Sequence, residues 1–156
     1  MKKFIIAALF VFPSVLFLSS CHKAYGDLSN NTNNNSSINS SAISGSWVLT
    51  SFTQRTEDKS SAFKGYTFTF TPTNTNSGTV TAEKNNDSVN GSWSYSPAVT
   101  YYGSTSKTSI TFGFGTSSPF DRLSKIWNVD STSTSSQLRL SSPEVVEDEH
   151  LIFTKN

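Results

Sequence analysis

The sequence predicts an all-β domain: a small antiparallel up-and-down β-barrel of about eight strands, with a β-sandwich as the alternative. Three observations predict it. Of 156 residues, 49 are Ser or Thr and 13 are Asn, against 23 charged ones. That balance favours strands with polar faces and frequent turns over helices. Apolar and polar residues alternate with a period of two in one segment after another. The segments are short, near-regularly spaced and separated by Asn, Gly, Ser and Pro.

The chain starts with something else. Lys2 and Lys3 precede an apolar run from Phe4 to Leu18, 15 residues broken by Pro13 and Ser14. A membrane-spanning helix needs about 20 apolar residues, so the run reads as the apolar region of a signal peptide. Leu18-Ser19-Ser20-Cys21 follows directly. These four residues resemble the bacterial lipoprotein signal. The resemblance implies cleavage of residues 1–20, lipidation of Cys21 with diacylglycerol and acylation (palmitate or similar) of its new amino group. More than one acyl chain makes such an anchor stable. His22, rather than aspartate, follows the cysteine, and by the same resemblance this implies the outer membrane of the cell envelope.

Residues 21–44 read as the lipidated cysteine and a tether. Ser29 to Ser44 reads SNNTNNNSSINSSAIS, with no charge and almost no apolar content. Such a composition is expected to stay disordered. Its sixteen residues would reach roughly 20–24 Å as a flexible coil.

Residues 45–156 are expected to form the domain. Trp47 and Leu49 share one face of a first strand. Tyr66, Phe68 and Phe70 share a face of the next, with Thr67, Thr69 and Thr71 opposite. Val80 with Ala82 forms a third, Val89, Gly91, Trp93 and Tyr95 a fourth, and Ile110, Phe112 and Phe114 a fifth. Trp127 with Val129, Leu138 with Leu140, and Leu151 with Phe153 supply three more. Between the fifth and sixth, Ser118 suits a helix cap, Pro119 the first helical position and Asp121 the first turn. A short helix over 119–125 is predicted to plug or cover one end.

Gly45-Ser46-Trp47, Tyr66-Phe68-Phe70, Gly91-Trp93, Leu123-Trp127-Val129 and Leu151-Phe153-Lys155 occur in that order. The set resembles the lipocalin-like lipoproteins common in Bacteroidetes, members of the wider calycin group. The resemblance implies a barrel that binds a small apolar or amphipathic ligand, walled by Trp47, Phe68, Phe70, Trp93 and Phe112. The 53–65 connection would then form a lid over its mouth. It also implies a basic residue packed across the first-strand tryptophan, either Lys155 or Arg139.

The residues offer little for catalysis. The only cysteine is the lipidation candidate, and the only domain histidine is His150, beside Glu147, Asp148 and Glu149. Two histidines and one cysteine do not make a usual zinc site, and no cofactor is implied. The acidic 144–149 stretch reads as a solvated loop before the last strand. A net charge of +1 gives no footprint for nucleic acid. Tyr101 and Tyr102 lie in the polar 97–106 segment. Either they form a rim that recognises a glycan or a protein, or one of them starts the fifth strand and folds inward. The expected function is therefore non-enzymatic. The protein would be an outer-membrane-anchored binder of a small apolar ligand. The alternatives are a filled-core recognition module acting through rim aromatics, and a structural accessory of the envelope.

Overall fold

The computed structural model describes residues 38–156. The signal segment, Cys21 and the first part of the tether lie outside the described residues. The elements in chain order are α1 (Ser40–Ile43), β1 (Gly45–Gln54), β2 (Glu57–Asp58), a 3-10 turn (Ser60–Phe63), β3 (Thr67–Asn74), β4 (Ser77–Lys84), β5 (Asp87–Ser96), β6 (Thr100–Tyr101) and β7 (Ser104–Thr105). Then come β8 (Ser109–Gly113), a second 3-10 turn (Phe120–Leu123), β9 (Ile126–Val129), β10 (Gln137–Ser141) and β11 (Glu149–Lys155).

Eight strands, β1, β3, β4, β5, β8, β9, β10 and β11, pair antiparallel in chain order, and β11 pairs back onto β1. The closing ladder sets Trp47 against Lys155, Leu49 against Phe153 and Phe52 against Leu151. The sheet therefore has no open edge between its first and last strands. The fold is a closed eight-stranded barrel of lipocalin-like form, and the sandwich alternative gives way. Sequence neighbours are spatial neighbours throughout, as short hairpin connections require.

The predicted inner faces are the observed ones. Phe68 and Phe70 are buried while Thr67, Thr69 and Thr71 are not, and the same alternation holds for Val80 with Ala82 and Ile110 with Phe112. One phase break was hidden in the sequence. The β1–β11 register slips between Leu49 and Ser51. Thr50 is the extra residue, its hydroxyl donating to the Ile152 carbonyl at 3.1 Å. A bulge of this kind resets the period. Phe52 rather than Ser51 then points inward, and it is fully buried.

Each end of the barrel is filled by a short segment held by a tryptophan four residues later. At the upper end, where β1 finishes, the 3-10 turn Phe120–Leu123 buries Phe120 and Leu123, and Trp127 Nε1 donates to the Leu123 carbonyl at 3.0 Å. The predicted helix over 119–125 is thus a single 3-10 turn. Ser118 does not cap it, and Pro119 takes the capping position with no side-chain bond. Ser124 does the local hydrogen bonding instead, accepting from Phe114 N–H at 2.9 Å and lying 3.0 Å from the Phe120 carbonyl. The 53–65 connection lies at the same end, and it is more than a loop. It finishes β1, turns tightly into β2 and then buries Phe63 fully beside Phe120, at 5.7 Å between ring centroids.

At the lower end, where β1 starts, α1 does the equivalent. Trp47 Nε1 donates to the Ile43 carbonyl at 2.8 Å, and Tyr95 Oη donates to the Ile38 carbonyl at 3.2 Å. Residues 38–44, expected to belong to the disordered tether, therefore belong to the fold. Ile38 and Ile43 are the only large apolar side chains in the Asn/Ser run, and both are buried. The average over the run concealed them. Ile43→Ala is expected to cost about 2–5 kcal/mol in a urea titration. An unchanged midpoint would return these residues to the tether.

The choice between Lys155 and Arg139 is also resolved. Lys155 Nζ stands 5.1 Å from the Trp47 ring centroid and donates to the Ala42 carbonyl at 3.3 Å. Arg139 instead bonds Gln137 on its own strand.

Candidate functional site

The residues expected to wall a ligand lie in one buried cluster, in which Phe70 packs on Trp93 and Phe112 and Phe68 reaches them through Phe153. Trp47, Phe68, Phe70, Trp93 and Phe112 are each at most 2% exposed. Phe68 meets Phe153 edge-on at 5.2 Å between centroids, Phe70 meets Phe112 at 5.7 Å and Trp93 at 6.3 Å, and Phe112 meets Phe153 at 6.0 Å. Rings at these separations are in direct contact. Phe114, Phe120 and Phe63 continue the cluster to the upper end. Among the described residues Trp93 Nε1 is the buried side-chain donor without a partner. It lies 2.7 Å from where a side chain on Gly78 would start.

The tyrosine pair behaves oppositely. Neither ring folds inward. The β5–β8 connection forms its own two-stranded hairpin, pairing Thr100 with Thr105 and Tyr101 with Ser104. Ser106 N–H donates to the Val99 carbonyl, and Val99 N–H to the Ser106 hydroxyl, both at 2.9 Å. Thr100 and Thr105 share a hydroxyl contact at 2.8 Å. Tyr102 and Gly103 make the turn, with φ of 46° and 80°. A two-residue hairpin turn of the I′ type needs positive φ at both positions. Gly103 adopts it freely, whereas a tyrosine there costs about 1–2 kcal/mol. The strain puts the second ring at the tip. Tyr101 is 71% exposed and Tyr102 91%, their rings edge-on at 4.3 Å, with Val99 60% exposed behind them. Sequence identified the pair. Its direction was decided by where the barrel strands end.

Other polar groups satisfy each other. The acidic 144–149 stretch is not simply a solvated loop. Glu149 starts β11 and is buried, accepting from Gln54 Nε2 at 2.9 Å and pairing with Lys125, which also pairs with Glu147. Lys125 Nζ lies 4.8 Å from the Trp127 ring centroid. A lysine just before β9 thus latches the 142–148 loop. The Lys125 hydrogen bond holds the Glu147 carboxyl below its ordinary value. Burial lowers the Lys125 ammonium, but its bonds to Glu147 and Glu149 outweigh burial and leave it above its ordinary value. The latch therefore contributes stability between these limits. The contribution is lost as pH falls through the lowered Glu147 value and as pH rises through the raised Lys125 value. Lys125→Met is expected to cost about 1–3 kcal/mol near neutrality, between the limits for exposed and buried pairs. The deficit should shrink at acidic and at strongly alkaline pH, as read by urea titrations across the range. A deficit independent of pH would contradict the latch.

His150 lies on β11, half exposed, with Nε2 3.2 Å from Asp148 Oδ1. At the β4–β5 turn, Tyr66 Oη donates to Asp87, which raises the Tyr66 hydroxyl above its ordinary value, and Lys84 Nζ covers the ring at 5.4 Å. A depression of about 420 Å³ beside them is lined by these three side chains with Asn85 and Asn86. Among the described residues no three His, Cys, Asp or Glu side chains converge as metal ligands. Cys21 lies outside the described residues.

The described chain is thus a small closed antiparallel barrel with an aromatic interior and an exposed aromatic hairpin, a fold compatible with ligand binding. No protein-family model, no curated protein and no solved structure matches the chain.

Proposed function

We propose that the protein is a lipoprotein of the outer membrane, anchored through Cys21, and that its barrel is a non-enzymatic recognition module with a filled core. Its contact surface is the β6–β7 hairpin, with Tyr101 and Tyr102 at the tip. One contrast carries this reading. The aromatic side chains suited to wall a cavity are buried against each other, whereas two tyrosines project from a strained turn into solvent. Buried rings supply stability in proportion to area removed from water, at about 25 cal/mol per Å². Rings left in water supply none, and exposed aromatic surface of this kind is what contact sites use.

The anchor half is supported by the Leu18-Ser19-Ser20-Cys21 sequence and its place after an apolar run. Cys21→Ser is expected to abolish acyl labelling and release the protein from the membrane fraction. The barrel half is read by native mass spectrometry of the lipidated protein released gently from its own membranes. The expected mass is that of the acylated chain alone. A reproducible adduct of a small apolar molecule, lost on organic extraction, would restore the reading in which Trp47, Phe68, Phe70, Trp93 and Phe112 wall a ligand.

A further inference from the structure

The geometry points to a partner for the tyrosine hairpin: the lipid bilayer that holds the anchor. We propose that Val99, Tyr101 and Tyr102 enter the interfacial zone of the membrane and seat the barrel on its lower end. This rests on reading the hairpin as the contact surface, and on Cys21 as the anchor.

Three independent observations converge. The first is topological. The described chain joins the fold at the lower end, where the Ile38 carbonyl accepts from Tyr95 Oη. Tyr95 and Ser96 close β5, and the next residues form the hairpin. The anchor-side segment and the tyrosines therefore share one end of the barrel. Ile38 lies only seventeen residues after Cys21. Even fully extended, that length spans at most about 60 Å.

The second is chemical. The segment from Ser96 to Ser106 carries no charged side chain. Its exposed groups are one valine, one proline, two tyrosines, a glycine and small hydroxyl residues. Tyrosine places an apolar ring and a polar hydroxyl at the depth where headgroups meet acyl chains, which is why it concentrates at membrane interfaces.

The third is electrostatic. Nine of the ten described carboxylates lie at the upper end, from Glu57 and Asp58 round to the 144–149 stretch, and Asp130 is the exception. Arg55, Lys59, Lys64, Lys84, Arg122 and Lys125 offset six of the nine and leave the upper end net negative by three, whereas the lower end carries Lys107 and Lys155 against that single acid, net positive by one. An anionic lipid surface repels the upper end and tolerates the lower one. Anchor position, apolar tip and charge all select the same face.

The three native tryptophans are buried, so an indole placed on the surface reports its own surroundings. The full-length lipidated protein is prepared as Tyr102→Trp and, separately, as Val146→Trp. Val146 is 80% exposed in the loop at the opposite end. Both are reconstituted into vesicles of phosphatidylethanolamine and phosphatidylglycerol containing lipids brominated in the upper acyl chain, with wild-type emission subtracted. The expected result is emission quenched several-fold more strongly for Tyr102→Trp than for Val146→Trp, with a blue shift for the first alone. Equal quenching, or none, overturns the proposal. The two variants are then compared in membranes of the producing cell. A blue shift of Tyr102→Trp there, but not in vesicles, leaves the recognition reading standing with a protein or glycan partner. No shift in either overturns both.

Discussion

Phe68→Ala is expected to lower stability by about 3–5 kcal/mol and the melting temperature by roughly 10–25 °C. Phe68 is fully buried near the start of β3, opposite Trp47 on β1 and Ala82 on β4. Its ring touches four others: Phe153 at 5.2 Å, Phe114 at 6.0 Å, Phe120 at 6.3 Å and Phe63 at 6.5 Å. Two of these belong to the segments that fill the upper end, so Phe68 ties the plug to the barrel wall. The neighbouring rings are fixed by their own contacts and cannot collapse into the space a benzyl group leaves, which places the cost toward the top of the range. The outcome also separates the two views of the interior. A side chain that lined an open ligand cavity would lose few contacts, and its removal would enlarge the cavity at small cost. Thermal denaturation with a matched urea titration measures the difference. A shift of only a few degrees would sink the filled-core reading.

Gly78→Ala is expected to be the most damaging small change in the barrel, about 3 kcal/mol or more. Strand rules point the other way, since glycine inside a strand normally weakens it relative to alanine. A Cβ at this position would lie 2.1 Å from the Thr71 carbonyl oxygen, 2.8 Å from Pro72 Cα and 2.7 Å from Trp93 Nε1. The first two are backbone of the facing strand, where the β3–β4 register slips between Pro72 and Asn74. The corner closes only because no side chain stands there. Gly113→Ala is the comparison: its Cβ would meet only the Ser92 hydroxyl, at 3.0 Å, which can rotate away. That variant is expected to stay within about 0.5 kcal/mol of the parent. Equal urea midpoints for the two variants would contradict the close approach at Gly78.

Much of the barrel was legible because period-two alternation is a local signal. Tyr66-Phe68-Phe70 against Thr67-Thr69-Thr71 needs no knowledge of the rest of the chain. The misreadings share one cause, which is reliance on averages and unbroken periods. Two isoleucines vanished into an Asn/Ser run, although Ile43 is as buried as Trp47. The bulge at Thr50 shifted Phe52 out of phase with Trp47 and Leu49. Glu149 sat among exposed acids, and nothing nearby in sequence marked Lys125 as its partner. The 53–65 connection looked like a loop because Phe63 stands alone in it, yet that ring helps fill the upper end.

Sequence alone determined the inner faces of the regularly alternating strands and the eight strands of the barrel, because each depends on residues within a few positions of one another. Tertiary structure decided which inward side chains meet. That depends on β11 closing onto β1, which brings Phe153 against Phe68 and Phe70 from the far end of the chain. It also decided that Tyr101 and Tyr102 leave the core. Their segment pairs with itself beyond the barrel strands, and a turn with positive φ at its tip leaves both rings in solvent.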